Sequence, residues 1–155
     1  MEDFRYRLLL ADDDIDDCFF FREALEELPF TSKLSTVNDG VELMRFLTGK
    51  SNNLPDMLFL DLNMPRKTGY ECLSEIKQHE TLKNLPVIII STSFEHEVVN
   101  LLYKNGADFY LRKPGDFSIL KQHIHQAIKM VSCLEKTPKS LQNFVINSNQ
   151  SSFSY

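Results

Sequence analysis

The 155-residue sequence predicts an α/β fold in which a mainly parallel β-sheet is covered on both faces by helices. Three observations predict it. Apolar runs of strand length alternate with segments of helical periodicity, five of each, which is the pattern of βαβ units. The run Val87-Ile88-Ile89-Ile90 is apolar on both faces, as a central parallel strand must be. Charged side chains directly follow three of the runs, at the strand ends that a parallel sheet gathers along one edge.

The elements follow in order. The first strand, Tyr6–Ala11, ends in Asp12, Asp13 and Asp14. The first helix, over 15–28, has Asp14 as its N-cap, and Cys18, Phe19, Arg22, Leu25 and Leu28 mark a helical stripe that Phe20 and Phe21 widen. The second strand, 33–37, alternates polar and apolar residues and suits a sheet edge. Asp39 caps the next helix, 41–47, and Glu42 stands three residues on, in capping-box spacing. A third strand, 56–61, ends in Asp61 and leads to a helix over 70–79. The fourth strand, Val87–Ser91, is followed by a helix over 96–105, for which Ser93 is a candidate cap and Gly106 the stop. The fifth strand, 108–111, precedes Lys113-Pro114, and Asp116 caps a last helix over 117–134.

After residue 134 the composition changes. Residues 135–140 read as a linker, 141–146 as one short turn or strand, and 147–155, rich in Asn, Gln and Ser, as a mobile tail. The expected division is a folded domain over 1–134 and a tail over 135–155 too short to form an output domain.

Composition excludes several classes. With 22 acidic against 17 basic residues the net charge is −5, which argues against direct, general nucleic-acid binding. No apolar run approaches the roughly 20 residues of a membrane helix, and no secretory signal opens the chain, so a cytoplasmic protein without membrane insertion is expected. Cys18, Cys72 and Cys133 are widely spaced without a CxxC, so they read as reduced thiols on helix faces. His79, His96, His123 and His125 are spread over helices and read as solvated surface groups.

The strand-end residues carry the chemistry. Asp12 and Asp13 together with Asp61 offer the hard oxygens that Mg²⁺ prefers, with Mn²⁺ as a substitute; Asp14 serves as a cap. Asp61 is the best nucleophile, since a carboxylate can accept a phosphoryl group as an acyl phosphate. Lys113 would place a point charge opposite the metal, and Ser91 could donate to a phosphoryl oxygen, with Thr92 as a competing donor. A phosphatase of the haloacid-dehalogenase type needs a second Asp two residues after its nucleophile, where this chain has Asn63. Neither GxxxxGK[ST] nor GxGxxG after the first strand is present, so no nucleotide site has an anchor.

Taken in order, these motifs resemble the receiver domain of two-component response regulators. The resemblance spans about residues 6–134 and rests on several segments in sequence. They are Asp12-Asp13 after the first strand, Asp61-Leu62-Asn63-Met64-Pro65 with Gly69, Pro86 to Ser91, Gly106-Ala107, and Tyr110-Leu111-Arg112-Lys113-Pro114. It implies a flavodoxin-like (βα)5 three-layer sandwich with a five-stranded parallel sheet in the order 2-1-3-4-5. It also implies Asp61 as phosphoacceptor, Asp12, Asp13, Asp61 and the Asn63 backbone carbonyl as Mg²⁺ ligands, and Lys113 and Ser91 as phosphoryl contacts. Ser91 and Tyr110 become the switch pair, the hydroxyl moving toward the phosphoryl group as the ring turns inward. A cis Lys113–Pro114 bond is implied as well. The departures are Ser91 for the commoner threonine, Thr92 where a small residue is usual, and Gly115 where an aromatic or apolar residue is common.

The expected function is a stand-alone response regulator that takes phosphate from a sensor histidine kinase and changes its surface for a downstream protein. Apart from self-phosphorylation from a donor and slow autodephosphorylation, no enzymatic turnover is expected. The alternatives are a relay intermediate that exchanges phosphate with a histidine phosphotransfer protein, and a metal-dependent phosphohydrolase. The last lacks a second acid or base for rapid dephosphorylation. Asn63 and Ser93, flanking the phosphoryl position, are expected to set the acyl-phosphate lifetime.

Overall fold

Six parallel strands in the order β2-β1-β3-β4-β5-β6 form the middle layer of a computed structural model that describes residues 5–49, 54–133 and 140–146. The strands are β1 (Tyr6–Ala11), β2 (Ser32–Val37), β3 (Met57–Asp61), β4 (Val87–Ser91), β5 (Phe109–Arg112) and β6 (Val145–Ile146). The helices are α1 (Ile15–Glu26), α2 (Gly40–Thr48), α3 (Gly69–Gln78), α4 (His96–Lys104), α5 (Phe117–Ser132) and the single turn α6 (Leu141–Phe144). The expected order 2-1-3-4-5 is present and is extended by β6, which pairs with the outer edge of β5. Residues 141–146, expected as a turn or a strand, supply both. Of the expected linker 135–140, Ser140 is the N-cap of α6, while residues 135–139 and the expected tail 147–155 lie outside the described residues.

Alternation across the pleat splits the core into two layers. Leu9, Leu58, Leu60 and Ile89 point to one face, where α2, α3 and α4 bury Leu43, Leu73 and Leu102. Leu8, Leu10, Phe59 and Ile88 point to the other, where α1 and α5 bury Phe21, Leu25, Ile124 and Ile128. β3 and β4 are buried at every position, while β2, at the edge, keeps its polar alternation.

The helix starts follow from short polar side chains. Asp14, Asp39 and Asp116 each accept backbone N–H bonds from the first turn of α1, α2 and α5. The reciprocal capping box belongs to Thr68 and Glu71 on α3 rather than to Asp39 and Glu42. Ser93 does not cap α4; Glu95 holds that position with no side-chain bond, because the Ser93 hydroxyl faces Ser91 instead. Gly106 ends α4 at φ +95°, a conformation that side chains rarely adopt.

His123 departs from the expected solvated group. It is buried, and neither ring nitrogen has a hydrogen-bond partner among the described residues. Burial holds its pKa below the ordinary imidazole value. The reason is its place on α5, three residues after Leu120 and four before Ala127, within the stripe that faces the sheet. Among the described residues no helix is long and apolar enough to cross a membrane.

Candidate functional site

The site is a consequence of register. Ala11 pairs with Leu60, Asp61 with Ile90, and Ser91 with Arg112, so β1, β3, β4 and β5 end level with one another. The residues at or just past those ends, Asp12, Asp61, Ser91 and Lys113, therefore share one crevice. Gly69 lets the following loop close over it: a Cβ there would lie 2.2 Å from the Asp61 carbonyl oxygen, closer than any side chain could stand.

Asp12 and Asp61 are buried and Asp13 is exposed, and one carboxylate oxygen from each lies within 4.8 Å of the others. Backbone amides aim two of them: Asp14 N–H donates to Asp12 Oδ1 at 3.0 Å and Asn63 N–H to Asp61 Oδ1 at 3.3 Å. Lys113 Nζ donates to Asp12 Oδ2 and Asp17 Oδ2, both at 2.8 Å, and stands 3.6 Å from Asp61 Oδ2. Its backbone N–H donates to the Ser91 carbonyl at 2.8 Å, which ties the lysine to the end of β4.

The electrostatics are uneven. Burial raises the pKa of Asp61 to about 6, with Lys113 opposing the rise and Asp12 adding to it. Burial alone would lower Lys113, but its bonds to Asp12 and Asp17 outweigh that and hold the ammonium above its usual range. Cys18, whose Sγ lies 3.5 Å from the Asp12 carbonyl, is pushed up to about 11 by burial and then by Asp12, so it is no nucleophile at neutral pH.

The hydroxyl side of the crevice is organised around Ser93. Ser91 is fully buried; its Oγ lies 3.2 Å from Ser93 Oγ and accepts the Ser93 N–H at 3.3 Å. Thr92 is exposed. The Tyr110 ring is buried, its hydroxyl donates to the Ser93 carbonyl, and Phe94 packs against its face edge-on at 5.9 Å. Ser91 and Tyr110 thus meet at the same short loop.

All the expected side chains except exposed Asp13 and Asn63 converge as buried or half-buried groups. Asp17 is an addition. Its place in the acidic first turn of α1 reads as ordinary complement to the helix dipole, and only the fold reveals Lys113 as its partner. The implied cis bond is corrected: among the described residues no peptide bond is cis, so Lys113–Pro114 is trans. An X-Pro bond prefers trans by about 0.5–1 kcal/mol, and the trans form already delivers Nζ to Asp12.

The donor set fits a hard divalent cation: three carboxylates, all oxygen, with no thiol or imidazole among them. Beside Lys113 a cavity of about 140 Å³ opens toward α1, lined in part by Phe20, Phe21, Pro114 and Phe117. At its rim Phe20 is exposed, with Phe19 beside it and Ile15 one turn earlier.

Comparison with known proteins agrees with this geometry. Residues 8–125 match the family model for the response regulator receiver domain. Response regulator Rcp1 of Synechocystis sp. is 33% identical over 132 residues, covering 83% of this chain and 85% of Rcp1. The probable methanogenesis regulatory protein FilR2 of Methanothrix harundinacea is 33% identical over 122 residues, 77% of this chain and 79% of that protein. Among solved structures, the phosphorylated cyanobacterial phytochrome response regulator RcpA superposes with a TM-score of 0.74 at 33% identity, covering 85% of this chain and 96% of RcpA. The Mn²⁺-bound form of Rcp1 gives 0.72 at 30% identity, over 87% and 99% of the two chains.

Proposed function

Because this chain belongs to the response regulator receiver family, we propose that it is a stand-alone phosphorylation switch in which Asp61 accepts a phosphoryl group from a sensor histidine kinase. The observation that carries the proposal is the placement of Asp61: a buried carboxylate with Lys113 Nζ at 3.6 Å and the oxygens of Asp12 and Asp13 within 4.8 Å.

In the proposed step an Asp61 oxygen attacks phosphorus. The new O–P bond forms as the P–N bond of the donor phosphohistidine breaks, and the imidazole leaves with the electron pair and takes a proton from water. With a pKa of about 6, Asp61 is mainly ionised at neutral pH and available as the nucleophile. Asp12, Asp13, Asp61 and the Asn63 carbonyl would hold a Mg²⁺ ion, or Mn²⁺ in its place, whose positive charge would let two anionic groups approach. Lys113 contributes a second positive charge at a fixed point, its ammonium held in place by Asp12 and Asp17.

Phosphorylation adds charge and acceptor oxygens at the crevice. Ser91 then turns from Ser93 to a phosphoryl oxygen, and Tyr110 reports that move through the Ser93 carbonyl. The Tyr110 ring is already inward while Ser91 still faces Ser93, so we assign the inward ring to both states, with phosphorylation raising its population. Hydrolysis later returns the carboxylate and inorganic phosphate, with Asn63 and Ser93 setting its pace. We propose this slow reversal as the hydrolytic reaction of the chain, in place of the turnover of a phosphatase. The kinase, or a histidine phosphotransfer protein in a relay, would dock on the exposed Ile15, Phe19 and Phe20 beside the crevice, in the cytoplasm.

The test is incubation with acetyl phosphate, with and without Mg²⁺, followed by intact mass. A Mg²⁺-dependent phosphoryl adduct is expected, and it disappears in Asp61→Asn. An adduct of equal yield in Asp61→Asn, or none in the wild type with Mg²⁺ bound, sinks the assignment.

A further inference from the structure

The segment that follows α5 is small. α6 is one turn and β6 is two residues, neither of which is stable alone. Both are held by what they touch. Phe144 and Ile146 are fully buried, in opposite core layers: Phe144 joins the layer of Tyr110 and Leu102, and Ile146 that of Leu111 and Ile124. Between them the backbone straddles the edge of β5, pairing Val145 with Tyr110 and Ile146 with Leu111. The Phe144 ring lies 5.3 Å from Tyr103 on α4 and 6.3 Å from Tyr110, on which Phe94 also packs.

Tyr110 is therefore gripped at both ends. Its hydroxyl is bonded to the Ser93 carbonyl, at the phosphorylation crevice, and its ring and backbone carry the C-terminal segment. From this we propose that residues 141–146 are a latch that docks on the inward form of Tyr110, with Phe144 as a positioning residue that couples its docking to phosphorylation of Asp61. The proposal rests on the phosphoacceptor reading above and adds a regulatory element to it.

The coupling follows from linkage. A ring free to leave the inward position takes away the surface on which Phe144 packs. A latch that has undocked leaves the ring without one of its aromatic neighbours. Whatever favours the inward ring favours the docked latch, and the latch returns the same factor to the site. Two elements this short, anchored by two side chains, have an equilibrium near enough to balance for one aromatic contact and one hydrogen bond to shift it.

The experiment uses the full chain and the phosphoryl mimic beryllofluoride with Mg²⁺. Amide exchange across residues 141–146 is read by NMR with and without the mimic, and the affinity for the mimic is measured in parallel. In the wild type, the slowest-exchanging amides of that segment slow further by about fivefold or more when the mimic binds. Phe144→Ala weakens the affinity for the mimic by the same factor, and Phe144→Leu restores most of it. Tyr110→Phe keeps the ring but deletes the bond to Ser93; it still docks the latch, yet exchange across 141–146 no longer responds. Mimic bound at Asp61 with unchanged exchange across 141–146 in the wild type overturns the latch while leaving the phosphoacceptor reading intact. No binding of the mimic at all overturns that reading, and the latch with it.

Discussion

Two apolar groups flank the carboxylate crevice, and the chain treats them in opposite ways. On α1, Ile15, Phe19 and Phe20 are 79%, 55% and 48% exposed. On the β5 side, Tyr110 and Phe144 are each 1% exposed, under cover that the chain itself provides through α6 and β6. Phe20 lines the cavity that Asp12 and Lys113 share, and Tyr110 reaches the loop after Ser91 through its hydroxyl. The open one leaves apolar area to be covered by something else, as a transient docking face requires. The closed one spends its apolar area internally, where it can hold one ring position against another. The first suits a surface that receives a signal, and the second an element that stores it.

Truncation should affect the two groups very differently. Tyr110→Ala removes a fully buried ring and should cost about 3–5 kcal/mol, whereas Phe19→Ala should change stability by no more than about 0.5 kcal/mol. Urea unfolding of both variants measures the contrast; similar losses would mean that α1 is packed far more tightly than its exposure indicates.

Between the two groups, the crevice itself should show the cost of a buried charge. Asp61 has a folded pKa of about 6 against an ordinary value of 3.8, so the folded state holds its proton more firmly than the unfolded chain. The associated stability is present below pH 4 and is lost as the pH rises through 6. Asp61→Asn should therefore stabilise the metal-free protein at pH 7.5 by about 1–2 kcal/mol, allowing for solvent screening. The gain should shrink at pH 5. A gain that grows on acidification would reverse the assigned sign. Added Mg²⁺ should stabilise the wild type and leave Asp61→Asn much less changed, as ligand binding to the folded state alone requires.

The same contrast explains what could be read in advance. β1 and β4 have the bounds that their apolar runs predict, and Asp12, Asp13, Asp61, Ser91 and Lys113 were legible because each follows or ends such a run. Asp17 was not, because its partner is 96 residues away and its local context already explains an acidic residue. The pairing of β6 was out of reach, since two residues carry no period and their strand exists only through the edge of β5. His123 was within reach: its spacing from Leu120 and Ala127 is that of the buried stripe, and only the polarity of imidazole argued otherwise. Tyr110 was legible only as the switch position that the resemblance implies; its bond to Ser93 depends on a loop conformation that no periodicity encodes.

The smallest stability effect carries the sharpest functional contrast. Phe19 and Phe20 meet edge to face at 5.6 Å on a solvent-facing part of α1, and serine has a helix propensity close to that of phenylalanine. The double variant Phe19→Ser/Phe20→Ser should thus unfold within about 0.5 kcal/mol of the wild type. A donor as small as acetyl phosphate has almost no apolar surface for these rings to cover, so its reaction with Asp61 should change little. A protein donor that covers the rings loses apolar burial at the centre of its contact, and transfer from its phosphohistidine should slow on the order of tenfold, about 1.4 kcal/mol. Equal slowing with both donors would place the rings in the chemistry of the crevice. No slowing with either would leave α1 without a docking role, and the open aromatic group would then need another occupant.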